Sequence, residues 1–112
     1  MNFYESLIRI KKNPIPLEKI LIMCLNGSGY GVQDAKSKSR KRDLVYIRQA
    51  FCLVCLNLSE RLDYKSVTVT SIGKFIKRNH SSVLHAKKNS HYQEIKEIVN
   101  RVLKNLEDEK KI

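Results

Sequence analysis

Glycine is scarce in this 112-residue chain, with four in all. The one cluster, Gly27-Ser28-Gly29-Tyr30-Gly31, lacks the glycine, lysine and hydroxyl order of a phosphate-binding loop. ATP binding and hydrolysis through such a loop is therefore not expected. No apolar run approaches the roughly 20 residues of a membrane-spanning helix. The start, Met-Asn-Phe-Tyr-Glu, has no basic leader followed by an apolar stretch and a small-residue cleavage site, so the expectation is a cytoplasmic protein. Three cysteines, an odd number, agree with a reducing compartment. Strand-like alternation of useful length, internal repeats and low-complexity tracts are also missing. The phenylalanines and tyrosines are scattered and predict no stacking platform, which counts against a single-strand binder. His80 and His85 have no paired carboxylate or activated nucleophile beside them, so no enzyme is expected.

Acidic side chains are the last scarcity, eleven against twenty-two basic ones, for a net charge of +11. The imbalance is local. Residues 1–35 carry a net of +1 and residues 89–112 carry none, whereas residues 36–88 hold thirteen basic and three acidic side chains, a net of +10. An anionic polymer would have its footprint there, and nucleic acid is the first candidate. The hydrophobic share of 42% is enough for one folded domain, and the length leaves no room for a catalytic domain beside it.

The apolar pattern is helical throughout. Ile15 to Leu25 is bounded upstream by Pro14 and Pro16 and ended by Asn26-Gly27-Ser28-Gly29, which predicts a short helix. Phe3, Leu7 and Ile10 have helical spacing, consistent with a short helix lying on the body. Gly27 to Ser39 reads as a loop, basic from Lys36 onward, that forms a flexible arm. The strongest helix follows, with Leu44, Ile47, Phe51, Val54, Leu58 and Leu62 at steps of three or four and Asp43 as a candidate N-cap. Arg48 and Gln49, in its first turns, are expected to be free to face a partner. Thr68 can cap a short helix to Ile76 carrying Val69, Ile72, Phe75 and Ile76. Gly73 inside it predicts another helix packed very close, since an interior glycine costs about 1 kcal/mol against alanine. Lys77-Arg78 makes a tight turn, and Asn79 caps a further helix through Ser81, Val83, Leu84 and Ala86 to about Asn89. Two short helices joined by a tight turn make a helix-turn-helix. A last helix carries Ile95, Ile98, Val99, Val102, Leu103 and Leu106 on one face, and its balanced charge marks it as scaffold.

Cys52-Leu53-Val54-Cys55, followed by His80 and His85, contains the residue types of a zinc site. The gap between the pairs is far longer than in a zinc finger, and both cysteines fall in a strongly apolar helix where cysteine packs as a small hydrophobe. The expectation is no metal and no cofactor.

The stretches Tyr30-Gly31-Val32, Ser37-Lys38-Ser39-Arg40-Lys41-Arg42, Arg48-Gln49-Ala50, Ser71-Ile72-Gly73 and Arg78-Asn79-His80-Ser81-Ser82-Val83-Leu84-His85-Ala86 resemble the C-terminal DNA-binding domain of the bacterial replication initiator DnaA. The last of these is the most specific. The resemblance covers about residues 17–106, leaving 1–16 as an N-terminal extension and 107–112 as a charged C-terminal tail. It implies an all-α bundle of five or six helices containing a helix-turn-helix, Trp-repressor-like in kind. The ATPase domain that precedes this module in the family has no counterpart in the sequence, so a reading head without its motor is expected.

The resemblance further implies that Arg40 enters the minor groove, that Arg48 and Gln49 meet the DNA backbone, and that Asn79, His80 and Ser81 read the major groove. Ser82 and His85 match positions that add phosphate contacts, although His85 has an alternative as a helix-packing residue. Lys38, Arg42, Lys77, Arg78 and Lys88 complete the candidate DNA-binding set as neighbouring cations. Three departures bear on specificity. The family's acidic residue before the histidine is Asn79 here, and its paired threonines are Ser81 and Ser82. Asparagine can pair bidentately with adenine where an acid accepts from cytosine, and serine has no methyl for thymine. The family's two glycines before the arginine are Ile76 and Lys77, which stiffen the turn and add a cation. The segment between Gln49 and Ile72 is longer than the family's, leaving a phosphate-binding lysine without a clean counterpart, with Arg61 or Lys65 as substitutes.

The reading is sequence-specific binding of double-stranded DNA by a monomer, in replication initiation or transcription control. Two alternatives stand beside it, a basic RNA-binding or ribosome-associated protein and an antagonist of the replication initiator that competes for its sites or partners.

Overall fold

A computed structural model of the chain describes residues 16–62 and 68–109, with the side chains of 59–62, 80 and 107–109 left aside. The expectations for residues 1–13 and for Lys65 lie outside the described residues, as do those for the side chains of Arg61 and Leu62. Six helices follow one another among the described residues: α1 Leu17–Leu25, α2 Val32–Lys36, α3 Arg42–Leu62, α4 Val69–Phe75, α5 His80–Lys88 and α6 Gln93–Glu109. The described part is thus the all-α bundle that the periodicity predicts.

The centre of the bundle is α3. Its predicted stripe of Leu44, Ile47, Phe51, Val54 and Leu58 is buried, and so are Ala50, Cys52, Cys55 and Leu56 on its other sides. A helix buried nearly all round needs neighbours on several faces, and α1, α5 and α6 provide them. Phe51 is fully enclosed and meets the Phe75 ring at 5.7 Å. Enclosing a phenylalanine side chain stabilises by about 1.5–3 kcal/mol. Ile95, Val102 and Leu106 of α6 are buried, and Arg101 donates to the Cys24 carbonyl at 3.0 Å, tying α6 to the C-terminal end of α1. The last helix runs on past Leu106 to Glu109.

Several predicted boundaries shift. The Pro16 carbonyl accepts from the Lys19 and Ile20 amides, so α1 begins at Leu17. Gly27 and Gly29 take φ of +81° and +84°, turning the chain after α1. Asp43 is not the N-cap of α3. The helix starts at Arg42, with the Lys41 carbonyl accepting from Val45, and Asp43 lies in the first turn, where a negative charge suits the helix dipole. The caps predicted at Thr68 and Asn79 are present: Thr68 Oγ1 accepts from the Ser71 amide at 3.1 Å, and Asn79 Oδ1 accepts from the Ser82 amide at 2.9 Å.

The segment predicted as a free loop differs most. Residues Val32–Lys36 form α2, and the Asp34 carboxylate accepts from the Gly31 amide at 2.8 Å to start it. The Lys36 ammonium sits 4.3 Å over the Phe75 ring, joining the end of α2 to α4.

Candidate nucleic-acid interface

Helices α4 and α5 meet through the turn at Ile76, Lys77 and Arg78. The Arg78 amide donates to the Gly73 carbonyl at 2.8 Å, so the chain doubles back against α4. A Cβ on Gly73 would stand 2.6 Å from the Arg78 carbonyl oxygen. The close neighbour that this glycine admits is the backbone of the turn leading into α5, and not the body of another helix. Lys77 takes φ +58°, among the described residues the only non-glycine with positive φ. That conformation strains an L-residue. It falls at one of the two positions where the resemblance noted glycine.

Helix α5 buries Val83 and Ala86 and exposes Ser81, Ser82, His85 and Lys88. Leu84, expected as part of its apolar pattern, is 45% exposed and lies on the outer face beside Ser81, His85 and Lys88. An exposed leucine among polar neighbours is a residue that periodicity alone could not assign. Asn79, expected as a base reader, also holds the helix start: its Oδ1 accepts from both the amide and the hydroxyl of Ser82. A bidentate adenine contact needs that oxygen as well as the amide nitrogen, so Asn79 can donate to a base but cannot accept from one while it caps. His80 is the first residue of α5, and its side chain lies outside the described residues.

The arm, residues 37–41, runs alongside. It is held, contrary to the expectation of a free basic loop, and Arg48 holds it. Arg48 is 6% exposed, and its guanidinium donates to the carbonyls of Ala35 at 2.7 Å, Ser39 at 2.6 Å, Ser37 at 3.0 Å and Asp34 at 3.2 Å. The prediction that Arg48 is free to face a partner is thus corrected. Burial, followed by the positive charge of Arg78, pulls the Arg48 guanidinium below its usual value. Arg78, half-buried, donates to the same Ser37 carbonyl at 2.7 Å and to its own turn at Lys77.

Between the arm, the first turns of α3 and the start of α5 lies an open cleft of about 730 Å³. Lys38, Arg40, Arg48 and Arg78 supply its positive charge, and Gln49, Asn79, Ser81, Ser82 and His85 supply neutral donors and acceptors. No acidic side chain lines it among the described residues. Nine of the thirteen candidate residues from the sequence are therefore brought to one concave surface. Arg42, Lys77 and Lys88 are exposed outside its lining.

One further expectation changes. Tyr46 and Tyr92 are not scattered: their rings lie 6.1 Å apart, and His91 stacks on Tyr92 at 4.4 Å. Tyr46 and Tyr92 are far apart in sequence, and no local pattern could pair them. Cys52 and Cys55 are buried together with Cys24 in the core, where burial pushes the Cys24 and Cys52 thiols up to about 12 and Cys55 well above its usual value. They pack as small apolar side chains.

The chain matches the family described as the bacterial DnaA protein helix-turn-helix over residues 17–89. It belongs to that family. The match spans α1 to α5 and stops at the C-terminal end of the second helix of the DnaA-type helix-turn-helix, so α6 packs on it from outside the matched region. Comparison with curated proteins and with solved structures finds no match. Membership in this helix-turn-helix family supports DNA binding. Among the described residues no helix is long and apolar enough to cross a membrane.

Proposed function

We propose that this DnaA-type domain binds double-stranded DNA at a specific sequence, with α5 in the major groove and the arm in the adjacent minor groove. The observation that carries this reading is the single cleft that joins the arm to the start of the recognition helix, positive throughout its charged lining. Arg40, exposed on the arm, enters the minor groove, where the potential favours a guanidinium. The N-terminus of α5 presents backbone amides to phosphate, and Ser82 joins them by turning its hydroxyl from Asn79 Oδ1 to the phosphate. Asn79, His80 and Ser81 are the base readers of this proposal, since residues at the start of a recognition helix reach base edges. Leu84, on the exposed face, places methyl groups where the serines at 81 and 82 have none, and it suits a thymine. The role is control of replication initiation or of transcription at that site.

Selection of bound duplexes from a randomised pool, repeated at two salt concentrations, tests this. A short consensus that persists at the higher salt supports sequence reading. Recovery of unrelated sequences whose binding vanishes together with added salt would show phosphate attraction without reading.

A further inference from the structure

Arg48 and Arg78 reach the same Ser37 carbonyl from two different elements, α3 and the turn before α5. Arg48 also binds the carbonyls of Asp34, Ala35 and Ser39, which places four of the five guanidinium N–H donors on the protein's own backbone. Between Ser37 and Lys41 the arm has few bonds of its own, and those seen are local: the Ser39 amide donates to Ser37 Oγ at 3.3 Å and the Lys41 amide to Ser39 Oγ at 3.4 Å. Along the arm Ser37 and Ser39 are half-buried while Lys38 and Arg40 are exposed. In extended chain, side chains alternate between faces. The two arginines grip the arm at the carbonyls of Ser37 and Ser39, and the residues between and after them, Lys38 and Arg40, are turned outward.

We propose that Arg48 and Arg78 form a clamp that positions the basic arm against the recognition helix, and that Arg48 acts on DNA through Arg40 and not by touching phosphate. A bidentate phosphate contact needs two adjacent N–H groups, and Arg48 has one left. Turning it outward would strip the carbonyls of Asp34, Ala35 and Ser39 of charge-assisted bonds, leave Ser37 to Arg78 alone and release the arm. Ordering the arm before binding removes a cost that a loose arm would meet on binding. Because the Arg78 backbone also fixes the start of α5, the clamp sets minor-groove and major-groove elements at one spacing. Its effect on DNA rests on the duplex reading above, whereas its effect on the arm does not.

The test is Arg48→Lys, which keeps the charge and removes the fork. In the free protein, amide hydrogen exchange at residues 37–41 should speed up by about tenfold or more, with α3 and α6 unchanged. Affinity for the selected duplex should fall about tenfold, and the same substitution should cost less than about twofold when Arg40→Ala is already present. Arg48→Lys with wild-type exchange in the arm, wild-type duplex affinity, or an undiminished cost beside Arg40→Ala would overturn the clamp, since a phosphate contact is largely kept by lysine. Where Arg48→Lys does not fold, Arg78→Gln removes only the second grip and should speed exchange at residues 37–39, and unchanged exchange there would contradict the proposal. If the wild-type protein binds no duplex, the duplex reading fails while the exchange experiment still decides the clamp.

Discussion

Asn79 Oδ1 caps α5 through the Ser82 amide and hydroxyl, so helix stability and the proposed base reading meet on one side chain. Asn79→Ala should lower stability by about 1 kcal/mol, as loss of an N-cap does, and weaken site preference by about 1–3 kcal/mol. Asn79→Asp should leave the melting temperature unchanged or higher, because aspartate caps as well and favours the helix dipole, while moving the selected base toward cytosine. Thermal melts of both variants, with duplex selection by the second, check the pair. The buried thiols give a second expectation. A raised pKa keeps the proton in the folded state where the unfolded chain releases it, so their contribution is complete below the ordinary value of 9.0 and is lost as pH rises toward about 12 for Cys24 and Cys52. Denaturant midpoints should show this decline above pH 9, and a thiol reagent at pH 8 should modify the native protein far more slowly than the denatured one. The cap at Asn79 was readable from its place before an apolar pattern. The role of Arg48 was not, because its acceptors are backbone carbonyls 9 to 14 residues away and carry no side-chain signature.

The helix-turn-helix shows how a sequence signal can be right in kind and incomplete in detail. Gly73 was legible as a site of close approach, but the approaching atom is the Arg78 carbonyl oxygen, which only the folded turn identifies. Gly73→Ala should destabilise by about 2 kcal/mol, since the backbone it meets cannot move without opening the turn. Lys77 at φ +58° is strained, so Lys77→Gly should raise stability by about 1 kcal/mol. The same change removes an exposed cation, and duplex affinity should fall equally on selected and unselected sequences if that cation serves the backbone. Urea titrations and binding on both duplexes separate the two effects. The long helices α3 and α6 were legible because their apolar stripes repeat over many turns. Helix α2, only five residues long, has no room for a repeat, and its stability comes from Asp34 at one end and Arg48 and Lys36 at the other.

At the scale of the whole molecule the net charge of +10 held in residues 36–88 is gathered in part onto one cleft, while α6, which carries more acidic than basic side chains, packs on α3 and α1. Composition pointed to an anionic polymer, and the family match over residues 17–89 supports DNA as that polymer. About six neutralised phosphates would give a slope of log affinity against log salt near −5. The duplex reading depends on groove geometry as well as on charge, since the deep, narrow major groove of RNA does not admit a recognition helix. The most direct measurement is therefore equilibrium binding at one fixed salt concentration to three ligands of equal length: the selected DNA duplex, a shuffled DNA duplex, and an RNA duplex of the selected sequence. The selected duplex should bind at least about a hundredfold more tightly than either of the others. Equal or tighter binding of the RNA duplex would contradict the account.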